Sequence, residues 1–227
     1  MEYESAWLNG SIPCAVPDIR GIDHIYLMSN ADVGRSDNDI IDTAVRELGV
    51  AAQEMFGKTP ASEHILSTDI LYTKSNTNAN IVLKLEAADE KPGAFRISAD
   101  KQNMTVTVSS ASAEGLLYGA FRLIFLLRTV DTLGQLECAE TPASPLRMLN
   151  HWDNLDGSIE RGYSGRSFFF DSDKVIIDDR TEAYARLIAS VGINAVVINN
   201  VNVRAAATKL ISAEYRNEIK RFTAIFK

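Results

Sequence analysis

Ile41, Ala44, Val45, Leu48, Ala52, Met55 and Phe56 recur at spacings of three and four residues, so they line one face of a helix. The polar stretch Ser36-Asp37-Asn38-Asp39 supplies N-cap candidates for it, and Gly57 with Pro60 ends it. Shorter apolar or alternating runs read as strands: His24 to Met28, Ile81 to Glu86, Phe95 to Ser98 and Met104 to Ser109, with Gly93 and Lys101-Gln102-Asn103 as turn material. Ala113 to Arg128 is apolar nearly all round, which for a helix means burial on more than one side. Together these elements predict an N-terminal two-layer α/β sandwich over residues 1–142, with helices on one face of a mixed sheet.

Pro142-Ala143-Ser144-Pro145 then breaks the pattern, and its two prolines mark a boundary to a second region, 143–227. Arg147 to Asn150 reads as a strand and His151 to Arg166 as a loop. A helix follows, with Asp179 and Glu182 as a capping-box variant, Ala183, Leu187, Ile188 and Val191 as its apolar face, and Gly192 at its end. Ala195 to Ile198 reads as a buried parallel strand, and Arg204 to Phe226 as one more helix. Strand, loop, helix, strand is a βαβ unit, and it brings Asn199-Asn200-Val201-Asn202 to the same end as the loop that carries Trp152. A (β/α)8 barrel starts in this way and holds its chemistry on the loops after its strands. Only 82 of the 227 residues follow Pro145, against about 250 for a whole barrel, so the expectation is a truncated TIM barrel, its first βαβ portion.

Composition narrows the function classes. A formal charge of -7 with no block of lysine and arginine argues against nucleic acid as a partner, because its phosphates would repel the chain. The most apolar segment, Leu116 to Leu127, is interrupted or bounded by Tyr118, Arg122 and Arg128, so no membrane span is expected. The start, Met1-Glu2-Tyr3-Glu4, has neither the basic nor the apolar region of a signal peptide; a chain with its signal already removed would read the same way, so the compartment stays open. Cys14 and Cys138 lack metal spacing and read as two free thiols in preference to a disulfide.

The loop after the first barrel strand gathers the candidate chemistry. Trp152 offers an aromatic face to the C–H face of a sugar ring; the alternative is a core tryptophan beneath the loop. His151 fits a general acid or a hydrogen-bond donor to sugar, and fits better a ring that satisfies buried backbone. Asp153, Asp156 and Glu160 lie on one loop, whereas the two carboxyl groups of an inverting glycosidase stand roughly 6.5–9.5 Å apart across the scissile bond. Loop bracing or hydrogen bonds to substrate hydroxyls suit Asp153, Asn154 and Asp156 better, and ion pairs with Arg161 or Arg166 suit Glu160. Asn199 and Asn200 are placed to bond hydroxyls and Val201 to form an apolar wall, or they make ordinary strand-end contacts. Gly157 to Ser164 is no phosphate loop, since Tyr163 stands where lysine is needed, and no HExxH, cysteine cluster or GxSxG occurs. No metal and no cofactor is implied.

The run from Arg147 to Ser167 resembles the signature that opens the barrel of the α-glucuronidases of glycoside hydrolase family 67. Gly192 to Asn202 resembles that family's second barrel strand, and Glu114-Gly115-Leu116-Leu117-Tyr118-Gly119 the end of its N-terminal domain. The resemblance implies hydrolysis, with inversion, of the α-1,2 bond between glucuronic acid, or its 4-O-methyl ether, and the terminal xylose of xylo-oligosaccharides, and a homodimer for the complete enzyme. It implies that Trp152 lines the glucuronic acid pocket; with the residues placed at the strand ends, the expected substrate-binding set is Trp152, Asp153, Asn199, Asn200 and Val201. The family's acid and base come from later strands, so no catalytic residue is expected here and the isolated chain is expected to be inactive. A non-catalytic carbohydrate-binding module and a ligand-free structural fragment are the alternatives.

Overall fold

Asn80 to Leu83 is buried without a break, the pattern of a strand covered on both faces at the middle of a sheet. A computed structural model describes residues 12–29, 35–65, 78–86, 90–199 and 209–226, apart from the side chains of residues 35 and 36. It divides into two compact units, with the break after Pro145.

The first unit holds β1 (Ile22–Ser29), α1 (Arg35–Phe56), β2 (Ala61–Ile65), β3 (Ala79–Leu85), β4 (Phe95–Asp100), β5 (Thr105–Ser110), α2 (Ala113–Thr129) and β6 (Cys138–Glu140). The six strands form one mixed sheet in the order β2-β1-β3-β5-β4-β6. β2, β1, β3 and β5 are mutually parallel, and β4 runs antiparallel to β5 and β6. The expected mixed α/β layer is therefore present. α2 packs on β3, β4, β5 and α1, which accounts for its nearly continuous apolar surface. Its glycines set the distance: a Cβ on Gly119 would lie 2.4 Å from Val108 Cγ1, and one on Gly115 would lie 2.4 Å from the Ala94 carbonyl. Ile41, Ala44, Leu48 and Ala52 of α1 are all buried, as their spacing requires. The helix starts at Arg35, so Ser36 to Asp39 lie in its first turns and are not its N-cap; Asp37 there faces the positive end of the helix dipole. Cys14 and Cys138 are unpaired thiols.

The second unit contains β7 (Met148–Asn150), β8 (Phe170–Asp171), β9 (Lys174–Val175), α3 (Asp179–Ser190), β10 (Ala195–Val197) and α4 (Arg216–Ile225). β7 and β10 form a two-stranded parallel sheet with α3 between them in sequence, and β8 and β9 form a small antiparallel hairpin. No closed barrel is present among the described residues. α3 is capped one residue earlier than expected: Asp178 accepts from Thr181 N at 3.1 Å, and the Thr181 hydroxyl lies 3.4 Å from Asp178 N. It ends in a Schellman arrangement, Ile193 N to the Ile188 carbonyl and Gly192 N to the Ala189 carbonyl, with Gly192 at φ 76°. Its inward face is Thr181, Tyr184 and Ile188, while Val191, expected on that face, is exposed. α4 begins at Arg216, well after the expected Arg204; residues 200–208 lie outside the described part of the chain. Among the described residues no helix is long and apolar enough to cross a membrane.

Candidate functional site

The parallel pair aligns Met148 with Ala195, Leu149 with Val196 and Asn150 with Val197. Both strands therefore end at the same level. Side chains lock this register at the entry, where Asn194 Oδ1 accepts from Arg147 N at 2.8 Å, and the ladder continues past the exit, where His151 N donates to the Val197 carbonyl at 2.7 Å. Beyond those ends, Asn199 Nδ2 donates to the Asp153 carbonyl, so the two strand-end loops are tied directly to each other. The expected convergence of Trp152, Asp153 and Asn199 is observed; Asn200 and Val201 lie outside the described residues.

The loop after β7 is built on buried polar groups. Asp153 is 3% exposed, and its Oδ2 accepts from Ser167 Oγ at 2.5 Å and from Phe168 N at 2.7 Å, with Phe169 N at 3.4 Å. A carboxylate that accepts several such bonds fixes the backbone it gathers, here the turn at Ser167 to Phe169. Asn154, also buried, donates to Ser158 Oγ at 3.0 Å and to the Glu160 carbonyl at 2.7 Å. Asp156 Oδ1 accepts from Ser158 N at 3.0 Å and from its hydroxyl at 2.6 Å. Glu160 takes the left-handed conformation, φ 55°, while its N–H donates to the Trp152 carbonyl at 2.8 Å, and its carboxylate accepts from Ser164 Oγ at 3.0 Å. These groups brace the loop. The expected pairing of Glu160 with Arg161 or Arg166 gives way to that serine contact.

The Trp152 side chain stands apart from this network, the residue being 41% exposed, while Asp153 beside it is nearly closed off. The indole is thus not a core side chain. His151, on its other side, turns inward: Nε2 lies 2.6 Å from Tyr184 Oη, Nδ1 lies 3.9 Å from Asp153 Oδ1, and the Phe169 ring meets it edge-on at 4.8 Å. Burial pushes the His151 pKa down, with the Asp153 carboxylate opposing, and burial followed by Asp153 pushes the Tyr184 phenol up. Both groups are therefore neutral near pH 7. Arg180 closes the rear of the cluster, its guanidinium 4.4 Å over the Phe168 ring and bonded to the Phe168 carbonyl at 2.8 Å.

Sequence reasoning missed Tyr184 and Ser167 as members of this site. The signal for Tyr184 was its place three residues after the capping Thr181 and four before Ile188, which puts all three on one helix face. Ser167 offered no signal, since its partner Asp153 is fourteen residues away. Among the described residues no group of three or more His, Cys, Asp or Glu side chains is arranged to hold a metal ion.

Comparison with known proteins bears on the same segment. Residues 126–227 match the glycosyl hydrolase family 67 middle domain. A probable alpha-glucuronidase A of Aspergillus terreus (strain NIH 2624 / FGSC A1156) is 32% identical over 193 residues, covering 82% of this chain and 22% of its own. Another, of Aspergillus niger, is 35% identical over 170 residues, covering 73% and 20% respectively. The chain thus spans about a fifth of the length of these relatives. Among solved structures, a GH138 enzyme targeting pectin rhamnogalacturonan II aligns over 90% of this chain and 22% of its own, at 15% identity and a TM-score of 0.49.

Proposed function

The chain belongs to glycosyl hydrolase family 67, and from that membership we propose that it is the N-terminal portion of an α-glucuronidase. The reaction proposed is hydrolysis of the α-1,2 bond between glucuronic acid, or its 4-O-methyl ether, and the terminal xylose of xylo-oligosaccharides, with inversion. The observation that carries this reading is the joint placement of the exposed Trp152 and of Asn199 at the C-terminal ends of the parallel pair β7 and β10. In barrel enzymes that end of the strands is where substrate binds.

In this proposal Trp152 lays its indole against the uronic acid ring, Asn199 and Asn200 bond its hydroxyls, and Val201 walls the methyl ether. Asp153 contributes through the loop: its Oδ2 holds Ser167 and Phe168, so it braces the segment that carries Trp152. The acid that protonates the leaving oxygen and the base that activates water come from further barrel strands outside these 227 residues, and the 227-residue chain alone is inactive. The complete enzyme is proposed to be a homodimer, with no cofactor.

The test is release of 4-O-methylglucuronic acid from aldouronic xylo-oligosaccharides, comparing this chain with one extended through its downstream coding sequence. Activity confined to the extended form supports the proposal. Activity in the short chain would show that its own carboxylates do the chemistry; no activity in either would remove the α-glucuronidase reading and leave a binding module or a ligand-free fragment. Trp152→Ala in the extended form is expected to lose activity by about tenfold or more, through the loss of one stacking contact with the sugar ring.

A further inference from the structure

His151 and Asp153 flank Trp152 and both turn inward, while the indole between them stays open to solvent. A chain of polar contacts joins the elements around it. It runs from Tyr184 on α3 to His151 at the end of β7 (2.6 Å), across to Asp153 (3.9 Å), and on to Ser167 (2.5 Å) and Phe168 N (2.7 Å) before β8. We infer that His151 and Tyr184 are positioning residues for Trp152: their hydrogen bond, with the electrostatic contact of the ring to the Asp153 carboxylate that holds the Ser167 turn, fixes the direction in which the indole leaves the loop. The inference rests on the reading of Trp152 as the sugar platform and adds what holds that platform.

The chemistry of the pair sets its condition. Nδ1 of His151 faces the Asp153 carboxylate at 3.9 Å, and in this inference the proton of the neutral ring accordingly sits on Nδ1, with Nε2 as acceptor from the Tyr184 hydroxyl. Protonation of the ring removes that lone pair. Nε2 becomes a donor, the phenol must rotate its hydrogen away, and the imidazolium is drawn toward Asp153. Among the described residues Asp153 and Tyr184 are the titratable groups that face the ring; Phe169 supplies the remaining wall. Two neighbours of Trp152 are thereby coupled to one protonation event. The Trp152 carbonyl is held separately by Glu160 N at 2.8 Å, so the backbone has a second anchor and the change falls on the direction of the side chain.

The experiment is a pH titration of Trp152 emission and acrylamide quenching in the full 227-residue chain, with Trp7→Phe removing the other tryptophan. The expected result is a transition below the ordinary histidine range in the parent, absent in His151→Gln and displaced to higher pH in Tyr184→Phe. The direction follows because the phenol donates to neutral His151 and so favours the neutral form. A contact with only a structural role would alter stability without moving a midpoint. No transition in the parent, a transition that persists in His151→Gln, or an identical midpoint in Tyr184→Phe would overturn the inference. If His151→Gln does not fold, the Tyr184→Phe midpoint decides alone, since that variant keeps the ring packing. No sugar enters the titration, so failure of the sugar platform is a separate result, read from addition of 4-O-methylglucuronic acid at neutral pH.

Discussion

β3 and β10 are both apolar strands in parallel pairings, yet they are buried to different degrees. β3 lies between β1 and β5, and Ile81, Val82 and Leu83 are at most 1% exposed. β10 pairs with β7 alone among the described strands, and Ala195, Val196 and Val197 are only half-buried. Apolar sequence thus states where a strand belongs, while the number of its neighbours decides how far it is covered. The second unit places its buried side chains elsewhere. Leu155, Phe169, Phe170, Val175, Tyr215 and Phe222 form a cluster around the loop and the β8-β9 hairpin, and Val196 and Ile198 pack against its edge. One unit is held by its sheet and helices, the other by a largely aromatic cluster that includes Leu155 of the loop after β7.

Phe169→Ala is the strongest test of that contrast. Phe169 is fully buried and meets Phe168, His151, Tyr184 and Phe222 edge-on, so its removal costs about 3–5 kcal/mol. Hydrogen exchange is expected to show loss of protection through residues 148–199 while β3 and β5 keep theirs. Loss in both units together would mean that they do not fold separately.

Gly119→Ala tests the other side with a somewhat smaller effect. The added methyl meets Val108 Cγ1 at 2.4 Å and Phe95 at 3.2 Å, so α2 must lift from the sheet at a cost of about 1–3 kcal/mol. Denaturant unfolding should show the sheet unit weakened and Trp152 emission unchanged. Asp153→Ala is expected to cost the second unit about 1.5–3 kcal/mol, because it leaves Phe168 N and Ser167 Oγ without their acceptor. A loss below that range would show that water replaces the carboxylate and that the loop needs no brace.

The contrast also explains what could be read from the chain. α1 announces itself by its helical period, and α2, β1, β3, β4 and β5 by apolar or alternating runs of the right length, and burial follows those patterns. β2 does not: Ala61 to Glu63 and His64 are exposed on an edge strand, so nothing in Ala-Ser-Glu-His-Ile alternates. The β8-β9 hairpin was hidden by its turn, where Ser172 and Asp173 both adopt positive φ without a glycine. In the loop after β7 and at the end of β10, residue types pointed to Trp152 and Asn199, the candidates that lie at the strand ends themselves. The bond from Ser167 to Asp153 and the contact between His151 and Tyr184 join residues fourteen and thirty-three positions apart, so they depend on how the chain between them folds back, and no local pattern encodes that.

The smallest expected effect concerns His151 and stability. Burial holds its folded pKa below that of the unfolded chain, so in the interval between the two values the unfolded state binds more protons than the folded one. Stability of the second unit must therefore fall as pH drops through the ordinary histidine range toward the lowered folded value, and level off below it. Asp153 opposes the shift, and the ring is partly open to solvent, which keeps the effect small. Going from about pH 7.5 to about pH 5.5, still above the carboxylate range, is expected to lower the unfolding midpoint of residues 148–199 in the parent and to leave His151→Gln unchanged. The two other histidines, His24 and His64, belong to the sheet unit, so this acid response should be confined to the second unit. An equal response in parent and variant would assign it to another group and would mean that the cluster beneath Trp152 holds the imidazole no more tightly neutral than water does.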